Sequence, residues 1–264
     1  MKITIFTSNQ PRHLRLINEL SYICDEVFAI QECNTVFPGL KKDFFNNSDI
    51  MKEYFSNVMK AEKDLFGDIF FNNKNVRTLS LKSGDLNNVS MSALSEALKS
   101  DVYVVFGSSF IKEPLIDFLI ENKAINIHMG VSPYYRGSSC NFWAAYDKNP
   151  ELIGATIHLL GKGLDSGDML YHALPKAERV DPFLLGMKAV KVAQDSLVDR
   201  IKTKEIFSYT PVKQDKTEEI RYSRNVEFND DVADDYLKNL FTKDEIFEKL
   251  KNRDKSLLLN PYIK

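Results

Sequence analysis

Two hydrophobic patterns alternate along the first two thirds of the chain. Short runs of β-branched and aromatic residues, typical of buried strands, alternate with stretches whose apolar residues recur every three to four positions, as on one face of a helix. The first helical stretch carries Leu14, Leu16, Ile17, Leu20 and Ile23. This alternation is typical of strands joined by crossover helices, so the sequence predicts an α/β fold with a mostly parallel sheet flanked by helices.

The same patterns locate the individual elements. Strands are predicted at residues 2–7, 26–31, 76–81, 101–106, 124–128, 153–160 and 168–174. Helices are predicted at residues 12–23, 90–98 and 115–121, with a long helix or helix pair at 40–65 and a short helix around Trp143. Asp181-Pro182 is expected to cap a long helix that runs to about residue 204. The apolar run at 102–106 is expected at the centre of a Rossmann-like sheet.

The pattern changes after residue 205. The chain becomes more charged and loses its strand and helix alternation, and two surface helices are predicted at residues 230–240 and 242–250. We therefore predict a core domain at residues 1–205 and a small helical C-terminal extension at residues 206–264.

Composition and charge limit the classes of partner and substrate that the protein is expected to bind. Of the 264 residues, 44% are hydrophobic and 27% are charged, which is typical of a globular protein. The net charge of −2 provides no positive field for nucleic acid, and no stretch approaches the roughly 20 apolar residues of a membrane helix. We expect a cytoplasmic protein with a small-molecule substrate, no nucleic acid and no membrane partner. Cys24, Cys33 and Cys140 lack metal-binding spacing, so no metal is expected.

Asn126 and His128 are the first candidates for chemistry. In Ile125-Asn126-Ile127-His128, the period of two residues places both isoleucines on one face of a strand and both polar residues on the other. The strand ends at Gly130, so His128 lies near its carboxyl end, where open α/β sheets place ligands. Taken alone, such a pair more often only satisfies buried hydrogen bonds.

Two loops add further candidates. The loop at residues 131–139 contains Arg136, whose guanidinium suits a carboxylate or phosphate, although a solvated arginine explains it equally well. Asp165 is flanked by Gly161, Gly163 and Gly167, which give a loop flexible enough to bring its carboxylate to His128. On its own this second loop is a typical turn.

Four motifs in order resemble the folate-dependent formyltransferase family, over about residues 70–175. They are Asn126-x-His128, Pro133-x-x-Arg136-Gly137, Gly154-x-Thr156-x-His158 and Leu164-Asp165-x-Gly167. The resemblance implies that Asn126, His128 and Asp165 are catalytic and that 10-formyltetrahydrofolate is the formyl donor. It also implies that the pterin lies between Ser109, Phe110 and Ile111 on one side and Leu164 and Asp165 on the other.

The implied chemistry needs these residue types. When an amine attacks the formyl carbon, the oxygen of the tetrahedral intermediate becomes negative, so hydrogen-bond donors must already point at it. Asn126 and protonated His128 can donate, and Asp165 would favour the protonated histidine and help a water relay the amine's proton. His158 is expected to support the site from behind, or to be only structural.

The acceptor amine is a separate question. Ser8, Asn9, Gln10 and Arg12 lie where a strand meets a helix, a position that favours an anion such as a substrate phosphate, although a simple capped turn explains them equally well. Glycinamide ribonucleotide enzymes of the family have a glycine-rich loop here, and this chain has none. Methionyl-tRNA enzymes have a C-terminal barrel and basic surfaces, whereas this tail is acidic at Asp230-Asp231 and Asp234-Asp235.

The chain is therefore most similar to the nucleotide-sugar N-formyltransferases, which formylate a deoxyamino sugar for surface polysaccharide such as O-antigen. Glycinamide ribonucleotide or methionyl-tRNA formyl transfer and a silent folate or nucleotide-sugar sensor are the alternatives, with a cysteine-dependent acyl transferase using Cys140 beside them. By analogy with the family, a homodimer is possible through the tail helices.

Overall fold

The computed structural model describes residues 1–36 and 47–264 as an α/β fold built on one large sheet. The strands in these ranges are β1 (Lys2–Thr7), β2 (Glu26–Cys33), β3 (Val76–Lys82), β4 (Val102–Phe106), β5 (Ile125–His128), β6 (Tyr135–Gly137), β7 (Ala155–Leu159), β8 (Met169–Leu174), β9 (Arg221–Ser223) and β10 (Tyr262–Ile263). The main sheet has the order β10-β8-β7-β5-β4-β1-β2-β3, and β7 alone runs antiparallel to its neighbours. The predicted fold class is confirmed.

Seven α-helices accompany the sheet within the described ranges. They are α1 (Pro11–Ser21), α2 (Asp49–Phe66), α3 (Leu115–Glu121), α4 (Cys140–Tyr146), α5 (Pro182–Lys202), α6 (Asp230–Lys238) and α7 (Lys243–Lys251). As predicted, Asp181 caps α5, because its carboxylate accepts hydrogen bonds from the N–H groups of Phe183 and Leu184. None of these helices has the length and apolar character needed to cross a bilayer.

The sheet is covered on both faces, which explains its continuous apolar strands. On one face, Leu16 and Ile17 of α1 and Leu197 of α5 join a core with alternate residues of the strands. On the other face, Leu115 and Leu119 of α3 pack with the remaining strand residues. Because each face is filled by close packing, the carboxyl ends of the strands remain as the place for a site.

Two of the predicted helices differ from those in the structure. The prediction for residues 90–98 is wrong, since this segment forms turns and only a short 3-10 helix at Ala97–Lys99. The hydroxyl of Ser90 accepts from the N–H of Ala93 as an N-cap does, but backbone bonds such as Ser95 to Ser92 and Lys99 to Glu96 span three residues, so turns and 3-10 geometry replace an α-helix. The prediction for residues 40–65 is met by α2 from Asp49 onward, and residues 40–46 lie outside the described residues.

The tail after residue 205 is joined to the sheet. β10 adds an edge strand beside β8, and β9 pairs in parallel with β6 to form a small second sheet. The two predicted tail helices are present as α6 and α7, and they bury Tyr236, Ile246 and Leu250 against Phe142 and Trp143 of α4. The division at residues 205 and 206 stays a prediction, and the strands that tie the tail to the sheet were not predicted.

Gly137 is expected to be essential for the pairing of β6 with β9. Its φ is +89°, and a Cβ atom there would lie 2.0 Å from the carbonyl oxygen of Ser223. We expect Gly137→Ala to lower the free energy of unfolding by at least about 2 kcal/mol, through strain and loss of the tail contact. Urea unfolding followed by the fluorescence of Trp143, the single tryptophan, measures this.

Gly186 in α5 provides the matched control. A Cβ atom there meets nothing within 4 Å, so Gly186→Ala is expected to raise the free energy of unfolding by roughly 0.5–1 kcal/mol. If Gly137→Ala unfolds at the same urea concentration as the unmodified chain, the tail does not depend on this pairing.

Candidate active site

β5 brings Asn126 and His128 to the carboxyl edge of the sheet. In its antiparallel pairing with β7, Asn126 lies opposite His158 and His128 lies opposite Thr156. Ile125 and Ile127, the alternate residues, are buried in the core between the sheet and α5. The alternation predicted from the sequence therefore sorts this strand into a core face and a face that lines a cavity.

Asp165 lies in the loop between β7 and β8 and points at both of these side chains. Its Oδ2 atom is 3.2 Å from Nδ1 of His128, and its Oδ1 atom is 3.4 Å from Nδ2 of Asn126. The backbone of Asp165 has a φ of +45°, a left-handed conformation that aspartate tolerates better than most residues. The structure thus brings the three predicted catalytic residues together, with two donors converging on one carboxylate.

The environment of His128 favours its charged form. Burial by itself lowers the pKa of this histidine, but the negative charge of Asp165 and the hydrogen bond to it raise the pKa well above its usual value. In return, burial raises the pKa of Asp165, but the charges and hydrogen bonds of His128 and His158 together outweigh burial and lower it. Nε2 of His128 lies 3.4 Å from the carbonyl oxygen of Tyr135, which can only accept a hydrogen bond. Both ring nitrogens therefore face acceptors, as suits an imidazolium.

His158 orients the amide of Asn126. Its Nδ1 atom is 2.7 Å from the carbonyl oxygen of Leu159, so Nδ1 must donate, and Nε2 of the neutral ring is left as an acceptor. The Nδ2 group of Asn126 lies 2.9 Å from that Nε2 and donates to it. The amide is thereby turned with its NH₂ group towards His158 and Asp165, and a supporting role for His158 stays a prediction.

A cavity of about 310 Å³ opens beside these residues. The loop that follows β4 forms one wall with Ser109, Phe110 and Ile111, and the loop that follows β7 forms the other with Leu164 and Asp165. The residues predicted to contact a pterin are therefore placed on two sides of one cavity. Its mixture of apolar side chains and backbone groups is of the kind that binds small organic molecules.

Glu32 is a residue of this region that the sequence analysis missed. Its carboxylate, 2% exposed, accepts hydrogen bonds from the N–H of Ser109 at 2.6 Å and the hydroxyl of Ser109 at 2.9 Å. It also accepts from the N–H groups of Gly84 and Leu86. Glu32 thus ties one wall of the cavity to the end of β2. The signal in the sequence was an acidic residue directly after the predicted strand at 26–31.

The predicted anion position at the start of α1 already holds a carboxylate. Arg12 forms an ion pair with Glu62 of α2 at 2.7 Å, and the backbone N–H of Arg12 also donates to Glu62, at 3.3 Å. Pro11 has no N–H to offer, and the N–H of His13 is bonded to the carbonyl of Gln10 at 2.8 Å. Glu62 therefore occupies the place where the helix dipole would favour a phosphate.

The other predicted acceptor residues have protein partners as well. The hydroxyl of Ser8 donates to the carbonyl of Glu32, and the side chain of Asn9 exchanges two hydrogen bonds with the backbone of Asn34. Gln10 differs, because its Oε1 atom is buried and has no hydrogen-bond partner among the described residues. A substrate role for these residues stays a prediction.

Arg136 contacts the tail. Its guanidinium donates to the carboxylate of Glu219 at 2.8 Å, and the side chain is 8% exposed. The ion pair lies next to the pairing of β6 with β9. The guanidinium of Arg136, which was predicted to suit a carboxylate or phosphate, is therefore occupied by a carboxylate of the same chain. A role of Arg136 towards substrate stays a prediction.

Cys140 lies closer to the site than the sequence indicated. The buried thiol is close enough to His128 to help raise the pKa of that histidine, and its sulfur donates to the carbonyl of Gly137 at 3.3 Å. Within residues 1–36 and 47–264, no group of three or more His, Cys, Asp or Glu side chains is placed to hold a metal ion.

Comparisons with known proteins bear on this arrangement. The family model described as formyl transferase matches residues 1–181, more than half of the chain. Methionyl-tRNA formyltransferase from Synechococcus sp. (strain JA-3-3Ab) is 33% identical over 128 residues, 47% of this chain and 38% of that protein. The chain spans less than half the length of the curated relatives it matches.

Two solved structures share the fold at low sequence identity. A 4-N formyltransferase from Francisella tularensis has a TM-score of 0.52 at 16% identity and covers 94% of this chain and 87% of its own. Phosphoribosylglycinamide formyltransferase from Bacillus halodurans has a TM-score of 0.51 at 16% identity and covers 77% of this chain and 95% of its own.

The pairing of His128 with Asp165 is testable without any substrate. In Asp165→Asn the pKa of His128 should fall markedly, because burial, the largest influence on it, is then opposed by Cys140 without Asp165. NMR titration of the histidine ring protons measures this. His172 is the internal reference, since burial lowers its pKa to about 4 and the substitution should leave it unchanged. An unchanged pKa of His128 would contradict the assignment.

The same shifts predict how stability depends on pH. The contribution of His128, whose pKa is raised, is fully present below about 6.5 and is lost as the pH rises through the raised pKa. The contribution of Asp165, whose pKa is lowered, is fully present above about 3.9 and is lost as the pH falls through the lowered pKa. The stability difference between the unmodified chain and Asp165→Asn should therefore be largest between these limits in urea unfolding.

Proposed function

The chain belongs to the formyl transferase family, and on that premise we propose that it transfers a formyl group from 10-formyltetrahydrofolate to an amine. The observation that carries the proposal is the convergence of Nδ2 of Asn126 and Nδ1 of His128 on the carboxylate of Asp165, at the edge of the cavity. Donors that hold a carboxylate there are also placed to hold an oxygen that becomes negative during reaction.

Asn126 and His128 stabilise developing negative charge in this mechanism. 10-Formyltetrahydrofolate supplies the activated formyl group. Asn126 keeps one N–H engaged with His158, which fixes the amide, and its second N–H, 3.4 Å from Asp165, would turn to the reacting oxygen. His128 keeps Nδ1–H on Asp165 and would turn Nε2–H, 3.4 Å from the carbonyl of Tyr135, to the same oxygen. A charged donor stabilises an oxyanion more than a neutral one does.

Asp165 acts mainly by maintaining the charge on His128. Because its own pKa is lowered, it is a weak base towards the attacking amine. Its carboxylate instead keeps His128 protonated and can bind the water that carries away the proton of the amine. This role needs the short distance of 3.2 Å that the structure shows between Oδ2 of Asp165 and Nδ1 of His128.

The cavity suits the pterin of the donor. Ile111 and Leu164 give apolar contact on opposite walls, and the backbone of both loops gives polar groups between them. Glu32 keeps the first wall in place through Ser109. We assign Ser109, Phe110, Ile111, Leu164 and Asp165 to donor binding.

For the acceptor, we propose the amine of a nucleotide-linked deoxyamino sugar. The start of α1 holds Glu62 where glycinamide ribonucleotide enzymes bind a phosphate, so repulsion disfavours that substrate. The exposed acidic residues of α6, Asp231 and Asp235, disfavour an RNA backbone. The likeness in fold to a 4-N formyltransferase also extends through 94% of this chain, against 77% for the phosphoribosylglycinamide enzyme.

A transfer assay tests both the formyl transfer itself and the assignment of the acceptor. Release of tetrahydrofolate from 10-formyltetrahydrofolate is measured with dTDP-, GDP- and UDP-linked amino sugars, with glycinamide ribonucleotide and charged methionyl-tRNA as parallel acceptors. Turnover with one nucleotide sugar supports the full proposal. Turnover only with one of the other two acceptors would overturn the sugar assignment, and no turnover with any acceptor would favour a sensor of folate or nucleotide sugar.

Variants of the two donors test the mechanism. Asn126→Ala and His128→Ala should each lower kcat about a hundred- to a thousand-fold, because each removes a donor to the reacting oxygen. Cys140→Ser, beside His128, should retain most of the turnover, whereas a cysteine-dependent acyl transferase would lose it entirely. A kcat close to that of the unmodified chain in His128→Ala would contradict this mechanism.

Glu32 should affect the donor rather than the chemical step. Glu32→Gln loses acceptor capacity towards Ser109, Gly84 and Leu86, so the first wall of the cavity should loosen. We expect a KM for the donor raised about tenfold or more, with a smaller change in kcat. Glu96→Gln, at an exposed carboxylate paired with Lys99, is the control and should change neither constant. A fall in kcat with an unchanged KM would contradict this role.

A further inference from the structure

The tail contributes a segment that touches the catalytic elements in succession. This crossing segment, residues 209–223, first pairs with the start of β8, where Val212 and Met169 exchange backbone hydrogen bonds of 2.7 and 2.9 Å. Its end, β9, pairs with β6. Between these two attachments lies Gln214, and the loop that carries Asp165 lies against it.

Gln214 holds that loop by its backbone. The Nε2 group of Gln214 donates to the carbonyl oxygen of Asp165 at 2.8 Å and to the carbonyl oxygen of Gly167 at 2.9 Å. Because carbonyl oxygens can only accept, the amide must present its NH₂ group to the loop. We propose that Gln214 is a positioning residue that sets the catalytic carboxylate of Asp165 through these two hydrogen bonds.

The loop needs an external support. Asp165 has a φ of +45°, in a region that residues other than glycine rarely adopt. Gly161, Gly163 and Gly167 surround it and give its backbone many alternatives. Two hydrogen bonds from one side chain, spaced across the carbonyls of Asp165 and Gly167, select one of these conformations. The selected conformation is the one in which the carboxylate reaches His128.

The influence of Gln214 passes through Asp165 to His128. The interaction of two charges falls with their separation, so a loop that relaxes away from the 3.2 Å contact weakens the hold on the proton of His128. The two hydrogen bonds of Gln214 go to the loop backbone rather than to these side chains, and Gln214 lies beyond residue 181, where the family match ends. A site common to the family is thus completed here by a residue from the tail.

Gln214→Glu is the sharpest test, because the new side chain has the same size but cannot donate and would set negative oxygens against two carbonyls. We expect kcat for formyl transfer to fall about tenfold to a hundredfold, by displacement of the carboxylate. The pKa of His128 should fall in Gln214→Met in an NMR titration; the glutamate variant is unsuited to this readout, because its own negative charge raises that pKa. A residue that only stabilised the fold would leave that pKa unchanged.

Two further variants complete the experiment. Gln214→Met keeps the length of the side chain but has no hydrogen-bond donor. It should show both the fall in kcat and the fall in the pKa of His128, and it replaces the glutamate variant if that variant does not fold. Lys213→Ala, at the exposed neighbouring position, should change neither kcat nor the pKa of His128. Normal kcat in either Gln214 variant or an unchanged titration of His128 in Gln214→Met would overturn the proposal, as would loss of folding in both variants.

The positioning role of Gln214 rests on the proposed function only where kcat is measured. The titration of His128 needs no substrate, so it reports on Gln214 even if none of the acceptors is turned over. A lowered pKa of His128 without any turnover would support the positioning role and count against formyl transfer. Turnover by the unmodified chain together with an unchanged kcat in Gln214→Glu would support formyl transfer and contradict the positioning role.

Discussion

The buried ion pair of His128 and Asp165 is the interaction on which the candidate site at the carboxyl edge of the sheet depends. Taking two charges out of water is costly, and the cost is recovered only if both are paired and hydrogen-bonded. Here the imidazole faces a carboxylate through Nδ1 and the carbonyl of Tyr135 through Nε2, while Asn126 approaches the other carboxylate oxygen. The surrounding elements hold these partners: β7 supplies His158 and β6 supplies the carbonyl of Tyr135.

The part of the site built by one strand could be predicted from the sequence. In β5 the alternation of isoleucine with Asn126 and His128 determines which face is polar, and the end of the strand determines where that face opens. Asp165 could be predicted only through the resemblance of four motifs to a family. A glycine-rich loop permits many positions for a carboxylate, and nothing local shows which one it adopts.

The contacts made by the tail could not be predicted in this way. β9 has three residues and β10 has two, so neither shows a period that separates a strand from a loop. Ser223 pairs with Gly137, far away along the chain, and this partnership is determined by packing in three dimensions. Glu32 was missed for a related reason, since a buried carboxylate is identified by its donors, and Ser109 and Gly84 come from distant turns.

Glu32 and Glu62 show how the chain uses its own carboxylates where ligands could otherwise bind. Both lie near the carboxyl edge of the sheet, where backbone N–H groups are exposed at the ends of strands and the starts of helices. Glu32 takes the N–H groups of two loops and so makes one wall of the cavity rigid. Glu62 takes the N–H at the start of α1 together with the guanidinium of Arg12, so a phosphate there would have to displace a paired carboxylate. The phosphates of the proposed nucleotide-linked acceptor would therefore be held elsewhere, which separates the choice of acceptor from the candidate site at Asn126, His128 and Asp165.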